Sequence, residues 1–230
     1  MEGTVFTPSL EGMQHIKSPQ GEMLTKPFLE VCKLVLPVIG HYWLSSLMGT
    51  VLILDRQGKF ITYVVTFVDK FGTAMTLVKS DIGGNISRLE KKYQSDTTKY
   101  NYLYNMVKEE VECKTAKGSS SCTNGLLWLT RAMDYLVELF RNLLAHPDWT
   151  MAEACTDSYG KTLKKFHGWI ASSSFTVAMK LAPDRKKFME VIAGSGDVNA
   201  DMEKFCSSFS PFLEENHKFL ANFGLDDMKA

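Results

Sequence analysis

The hydrophobic positions of this chain follow a helical period over most of its length. In the first predicted helix, apolar side chains recur at spacings of three and four residues, at Phe28, Val31, Cys32, Val35, Leu36 and Ile39. Thr25 and Pro27 precede this stripe and mark a helix start. Further helices are predicted over Tyr100 to Cys113, Leu126 to Phe140, Phe205 to Phe209 and Phe212 to Leu220. The pattern therefore predicts an all-α fold.

Start and stop signals place two more helices in the second half of the chain. Residues Thr150 to Glu153 have the sequence of a capping box, which predicts a helix that begins there, includes His167 and ends at Pro183. The next helix runs through Phe188, and the glycines of residues 194–196 are expected to end it.

A row of polar side chains follows one edge of another predicted helix. Asp81, Asn85 and Arg88 stand at i, i+4 and i+7, so all three point the same way. An apolar stripe runs beside this row, at Ile82, Ile86, Leu89 and Tyr93. Gly83 and Gly84 weaken a helix, which predicts that something approaches the backbone closely there. Such an edge could bind a polar ligand, although on pattern alone a solvated helix face is the commoner explanation.

Two later segments change that interpretation. One is an apolar helix that carries Trp128 and Arg131 at i, i+3, and the other reads Lys164-Lys165-Phe166-His167-Gly168-Trp169. Together with the Asp81 row, these segments resemble the glycolipid transfer protein family, and its plant members in particular. The three motifs occur in the family's order and at about its separations.

The resemblance implies both a fold and a function. The fold would be a two-layer helical sandwich of about eight helices, forming a single domain over residues 1–230. The function would be non-enzymatic transfer of glycosphingolipids of the monohexosylceramide type between membranes, with no cofactor. By that resemblance, Asp81, Asn85 and Arg88 would bind sugar hydroxyls. Trp128 would stack on the sugar ring, and His167 would donate a hydrogen bond to the ceramide amide carbonyl.

The resemblance also implies an apolar tunnel and a membrane-docking surface. Tunnel positions for the ceramide chains would be Val78, Tyr135, Leu163, Phe175 and Phe188. Trp169, with Lys164 and Lys165 nearby on the same predicted helix, would lie on the outer surface and dock onto membranes. The alternatives are ordinary core packing for the tunnel residues and a half-buried core position for the tryptophan.

The block from Gly40 to Val68 departs from the helical pattern. Two apolar runs flank the polar turn from Asp55 to Gly58, which indicates a pair of strands. The block is extra relative to the resembling family, and removing it would rejoin Ile39 to Asp69. The codons available at its two ends are compatible with a retained intron. An isolated hairpin is marginal in water, so we expect this block to be exposed or poorly packed.

Composition and charge narrow the classes of partner. Lys plus Arg and Asp plus Glu both number 26, so the net charge of +0 gives no long-range attraction to nucleic acid. Membrane contact would therefore be local, peripheral and transient. The five cysteines are scattered and lack metal-ligand spacing, which favours reduced thiols, no metal and a cytosolic location. The N-terminal residues lack a secretory signal. We expect a monomer.

Three other functions remain open from the sequence. The first is a ceramide-1-phosphate carrier of the same fold, which would need added basic residues beside Asp81. In that branch of the family the position of Asn85 is a lysine, so the amide favours a neutral sugar. The second is a lipid sensor that uses the same site. The third, from another class, is an acid/base enzyme built on Asp81 and His167, although a lone histidine is more often a core residue.

Overall fold

The computed structural model describes residues 3–35, 81–180, 182 and 184–229. Within these ranges the chain forms nine α-helices: α1 (Thr7–Met13), α2 (described over 25–35), α3 (described over 81–95), α4 (Tyr104–Glu112), α5 (Cys122–Ala145), α6 (Met151–Lys161), α7 (Trp169–Lys180), α8 (Arg185–Ala193) and α9 (Val198–Ala221). A 3-10 helix, Lys164–Phe166, follows α6. Extended pairing in the described residues consists of two isolated bridges, Lys17 with Met23 and Leu24 with Tyr102. The predicted all-α fold is confirmed.

The long helices α5 and α9 pack along each other and form the centre of the molecule. Helices α4 and α6 also contact α5, while α1 contacts α9. Buried phenylalanines join these elements: the Phe6 ring lies 5.0 Å from the Phe140 ring, edge to face, and 5.3 Å from the Phe205 ring. Phe28 on α2 stacks on Phe209 of α9 at 6.2 Å between ring centroids. Aromatic burial of this kind dominates core energetics, so α5 rests on a rigid support.

Side chains from neighbouring elements secure both ends of α5. At its start, Ser121 accepts a hydrogen bond from the Asn124 N–H, and the Glu110 carboxylate accepts from the N–H groups of Cys122 and Thr123 at 2.7 and 2.8 Å. At its end, Arg185 of α8 donates to carbonyl oxygens of the last turn and the following loop, those of Leu143, His146 and Trp149. Helix ends leave backbone groups without partners, and these contacts satisfy several of them.

The helix that was predicted to contain His167 is shorter than expected. The capping box at Thr150 and Glu153 is present, but α6 ends at Lys161, and the prediction that His167 is helical is wrong. The Thr162 hydroxyl donates to the Ser158 carbonyl at 2.6 Å as the backbone leaves the helix. His167 then adopts an extended conformation after the 3-10 helix. Glycine at position 168 disfavours helix, and α7 begins only after it.

Helix α9 is continuous where the sequence predicts a break. The two short helices expected on either side of Pro211 form a single helix, α9, which contains that proline. Proline lacks the N–H that would bond to the Ser207 carbonyl, so it removes one hydrogen bond from the helix. The packing of α9 along α5 outweighs that local loss.

Some predictions fall outside the described residues. These include the block from Gly40 to Val68, the end of the first helix and the tunnel position Val78.

Candidate functional site

The polar row on α3 lies at the edge of the core. Ile82 and Ile86 are buried, as the helical period predicts, and Asn85 is only 5% exposed. Asp81 remains accessible to solvent and Arg88 is half-buried. Burial nevertheless raises the pKa of the Asp81 carboxyl, and the positive charge of Arg88 opposes that shift. The row therefore runs from a carboxylate at the surface to a buried amide.

A glycine on α5 lets α3 approach closely. A Cβ atom built at Gly125 would lie 3.3 Å from Cδ of Arg88 and 3.7 Å from the Asn85 carbonyl oxygen. By contrast, no atom lies within 4 Å of a Cβ built at Gly83 or Gly84, so the close approach that was predicted there is not made by the described protein. The close contact lies at Gly125, which the sequence pattern did not single out.

Arg88 also ties α3 to the loop before α5. Its Nη1 donates to the carbonyl oxygens of Ser119 and Ser121, each at 3.1 Å. This pairing sets the position of the guanidinium beside the start of α5. Arg88 thus has a structural contact in addition to the sugar-binding role that the resemblance implies.

Trp128 and His167 lie face to face. Their ring centroids are 5.5 Å apart, and the planes are inclined by 23°. Trp128 is one turn beyond Gly125 on α5, so it shares a helix face with the position where α3 crosses. The structure therefore brings together the polar row of α3, the indole of α5 and the imidazole of the segment before α7.

The surroundings of His167 favour a neutral imidazole. Burial lowers its pKa, and the nearby charge of Arg131 lowers it further. Nδ1 lies 3.2 Å from the hydroxyl of Tyr159, which is also 3.2 Å from Oγ of Ser172. The Phe175 ring lies 5.0 Å from the imidazole. Tyr159 and Ser172 are site residues that the sequence did not indicate, because the contacts of Tyr159 with His167 and with Ser172 depend on how α6 and α7 pack.

Arg131 packs against Trp128 and Phe166. The side chain is 1% exposed, and its Cζ is 4.9 Å from the centroid of Trp128 and 3.4 Å from that of Phe166. Burial lowers the pKa of this guanidinium to about 10, and acidic neighbours such as Asp226 oppose the shift. Arg131 therefore remains charged near neutral pH. The sequence showed its spacing from Trp128 but not this supporting contact.

The tunnel positions fall into two groups. Leu163 and Phe188 are each 5% exposed and belong to the main core, whereas Tyr135 and Phe175 are partly buried against it. Phe175 stacks on Tyr159 at 5.2 Å, next to His167. Burial also raises the pKa of the Tyr135 phenol well above its ordinary value. Of these four residues, Phe175 lies beside His167, and the role of all four as a tunnel stays a prediction.

The outer surface nearby carries exposed apolar and basic side chains. Trp169 is 80% exposed and Val177, two turns later on α7, is 60% exposed. Lys164 and Lys165 are exposed too, but they lie on the 3-10 helix and not on the helix of Trp169, as had been predicted. In the part of the chain that the structure describes, no helix is both long and apolar enough to span a membrane.

Comparisons with known proteins agree with this geometry. A family model described as Glycolipid transfer protein (GLTP) matches residues 58–194. The chain is 66% identical to Glycolipid transfer protein 1 of Arabidopsis thaliana over 230 residues, which cover 100% of both chains.

Solved structures show the same fold. One, described as showing how FAPP2 selects simple glycosphingolipids using the GLTP-fold, has a TM-score of 0.77 and 23% identity and covers 99% of this chain and 100% of that one. Another, human ceramide-1-phosphate transfer protein in complex with 12:0 ceramide-1-phosphate, has a TM-score of 0.72 and 19% identity, with 98% and 99% covered. At such low identity, these two similarities support the fold alone.

Proposed function

The chain belongs to the glycolipid transfer protein family, and on that premise we propose that it carries glycosphingolipids of the monohexosylceramide type between membranes without changing them chemically. The observation that carries this proposal is the stack of Trp128 on His167, one helical turn from the point where Asn85 and Arg88 approach α5. Side chains suited to a sugar ring and to a lipid amide thus meet in one place.

The polar row suits a neutral sugar. The Asp81 carboxylate can accept hydrogen bonds from two hydroxyls, and the Asn85 amide can both donate and accept. The planar guanidinium of Arg88 adds donors. Among the described residues, no atom lies within 4 Å of a Cβ built at Gly83 or Gly84, so these residues leave room for a head group against the helix backbone. Because Asn85 is nearly buried and uncharged, this row favours hydroxyls over a phosphate.

His167 is suited to hold the ceramide amide. A neutral imidazole carries one proton, and in the tautomer that has this proton on Nε2, Nδ1 is an acceptor. Nε2 can then donate to the amide carbonyl of the lipid. The indole face of Trp128 offers an apolar surface to the sugar. Each contact recognises the ligand, and none requires that a bond be broken.

A carrier must also enclose the apolar chains of its lipid, and apolar residues are present beside His167. Each ceramide CH₂ that is removed from water contributes about 0.8 kcal/mol, so the chains must be enclosed during transfer. Phe175 and Tyr159 form an aromatic wall beside His167, and Leu163 and Phe188 continue into the core. We assign the ceramide chains to this side.

Trp169 and Val177 would make the membrane contact. Both are exposed apolar side chains on α7, and the flanking Lys164 and Lys165 suit an anionic lipid surface. We propose that this contact is peripheral and transient, and that the protein acts as a cytosolic monomer.

Transfer of a lipid panel between vesicles tests the proposal. Wild-type protein should move glucosylceramide or galactosylceramide faster than ceramide-1-phosphate, and mass spectrometry should recover the lipid unchanged. Faster transfer of ceramide-1-phosphate would favour the phosphate carrier. A modified lipid would favour the acid/base enzyme, and binding without transfer would favour the sensor.

A further inference from the structure

The chain reverses direction after α9 and returns to α5. Gly224, with φ of 62°, makes this reversal, because that backbone conformation is disfavoured for other residues. Leu225 follows, is 2% exposed, and donates its N–H to the Leu220 carbonyl at 3.0 Å. Residues 225–228, which we call the return segment, therefore lie against the folded core.

Two cations fasten the return segment to α5. Arg131 donates from Nη1 to the Met228 carbonyl at 2.8 Å and from Nη2 to the Asp226 carbonyl at 2.5 Å. His217, on α9, lies between two carboxylates: Nε2 is 2.7 Å from Asp134 and Nδ1 is 2.6 Å from Asp226. Asp134 is one turn beyond Arg131 on α5, so the two attachments are adjacent.

The return segment in turn fixes Arg131. Among the described residues its buried Nε has no hydrogen-bond partner, so the backbone carbonyls of the return segment provide the contacts that orient the guanidinium. That guanidinium packs on the rings of Trp128 and Phe166. Phe166 immediately precedes His167, so both members of the Trp128–His167 stack depend on where Arg131 lies.

We propose that His217 is a positioning residue for the head-group site. With Asp134 and Asp226 it clamps the return segment onto α5, and the clamped segment holds the Arg131 guanidinium that supports Trp128. This inference rests on the proposed function only in naming the ligand. The clamp itself is a property of the protein without lipid, so it can be tested separately.

Two variants of the 230-residue chain open the clamp, and one matched variant leaves it intact. His217→Gln removes the doubly donating imidazole, and Asp226→Asn removes one of its acceptors. Asp227→Asn changes the net charge by the same amount as Asp226→Asn, at an exposed neighbouring residue, so it serves as the control for that variant. The far-ultraviolet circular dichroism of all three should match that of the wild type.

Nuclear magnetic resonance without lipid tests the clamp. Hydrogen exchange at the Leu225 amide should speed up by about tenfold or more in His217→Gln and Asp226→Asn, because opening becomes easier. The indole N–H resonance of Trp128 should shift in both variants, while that of Trp149 should not. The Asp227→Asn protein should behave as the wild type. Unchanged exchange and an unmoved Trp128 resonance in both clamp variants would overturn the proposal.

Binding of glucosylceramide tests the positioning role. Affinity should fall about tenfold in His217→Gln and in Asp226→Asn, and the double variant should be no weaker than either, as expected for residues that act as one unit. If the return segment is released in these variants but their affinity for glucosylceramide equals that of the wild type, the positioning role is overturned and the carrier function stands. A wild-type protein that binds no glycosylceramide would overturn the proposed function and the positioning role with it, while the lipid-free measurements would still decide whether the clamp exists.

Discussion

Arg88 lies directly over Gly125, so close that a Cβ atom on the glycine would stand 3.3 Å from Cδ of the arginine. This spacing is tighter than most Cβ contacts in proteins, and the arginine would have to move by a few tenths of an ångström to accept a methyl group. Because Arg88 also bonds to the loop carbonyls at Ser119 and Ser121, it has little freedom to do so. The glycine therefore controls the position of the polar row relative to Trp128.

Replacing that glycine should separate stability from binding. In Gly125→Ala, the gain in helix propensity, about 1 kcal/mol, should offset the steric cost, so we expect the free energy of unfolding to change by less than about 1 kcal/mol. Displacement of Arg88 should lower glucosylceramide affinity by about threefold to tenfold. Urea unfolding and lipid titration measure the two effects.

Gly160→Ala is the matched control for this variant. Gly160 is also helical, but no atom of the described residues lies within 4 Å of a Cβ built there. We expect the Gly160→Ala variant to be more stable than the wild type and to bind glucosylceramide with unchanged affinity. Equal loss of affinity in both variants would show that Gly125 has no special role in the site.

Asp81 should contribute more to glycolipid binding than any neutral member of the row. Hydrogen bonds to a charged group contribute about 1.5 to 3 kcal/mol, so Asp81→Val should reduce transfer of glucosylceramide by about tenfold to a hundredfold. Glu112→Val removes an exposed carboxylate from α4 and should have no effect. Transfer by Asp81→Val at the wild-type rate would contradict the assignment of the sugar to this row.

Asn85 should set the preference between a sugar and a phosphate. Asn85→Lys introduces a positive charge that suits a phosphate but finds no counterpart on a neutral hexose. We expect the ratio of ceramide-1-phosphate to glucosylceramide transfer to rise in this variant. Because Asn85 is 5% exposed, thermal unfolding should be measured alongside, so that the ratio is taken on folded protein. A ratio unchanged from the wild type would contradict this role.

Trp169 and Val177 should act together in membrane contact. Trp169→Ala should lower partition onto vesicles that contain anionic lipid by about tenfold, since 1.4 kcal/mol of lost interfacial contact is a factor of ten. Val177→Ala should lower it less. Val191→Ala is the matched control, because Val191 is 50% exposed but lies on α8. A sedimentation assay in which Val177→Ala and Val191→Ala weaken partition equally would argue against a docking surface on α7.

What the sequence could predict was the local structure. The apolar stripe through Ile82 and Ile86 and the capping box at Thr150 depend on side chains within two helical turns, so a linear pattern contains them. The helix through Pro211 was missed because distant packing along α5 compensates for a local hydrogen bond. Local propensity cannot report that compensation.

The candidate site was predicted as a set of residues but not as an arrangement. The resemblance supplied Trp128 and His167, but their stacking depends on an extended segment between two helices that had been predicted as one. The contacts of Arg131 with the backbone of residues 226 and 228 join positions nearly a hundred residues apart. Every residue has a backbone carbonyl, so the sequence cannot indicate which ones accept hydrogen bonds from Arg131. Only the folded structure could show these contacts.

His217 should make the stability of the protein depend on pH in the alkaline range. Its hydrogen bond to Asp134, followed by that to Asp226, raises its pKa from 6.5 to about 9, while burial opposes the shift. A group whose pKa is raised on folding contributes its full stabilisation below the unfolded value, and that contribution is lost as the pH rises through the folded value. The rise of about 2.5 pKa units sets an upper limit of about 3.4 kcal/mol on this loss, at 1.36 kcal/mol per pKa unit.

The measurement is the free energy of unfolding from urea titrations between about pH 6 and pH 10, for the wild type and for His217→Gln. Lysine and cysteine titrations affect both proteins alike and cancel in the difference. We expect the wild type to be the more stable protein near pH 6, and the gap to narrow steadily above the unfolded pKa of 6.5 until little remains beyond about 9. Two curves that stay parallel over the whole range would show that the ion pairs of His217 with Asp134 and Asp226 do not stabilise the folded state.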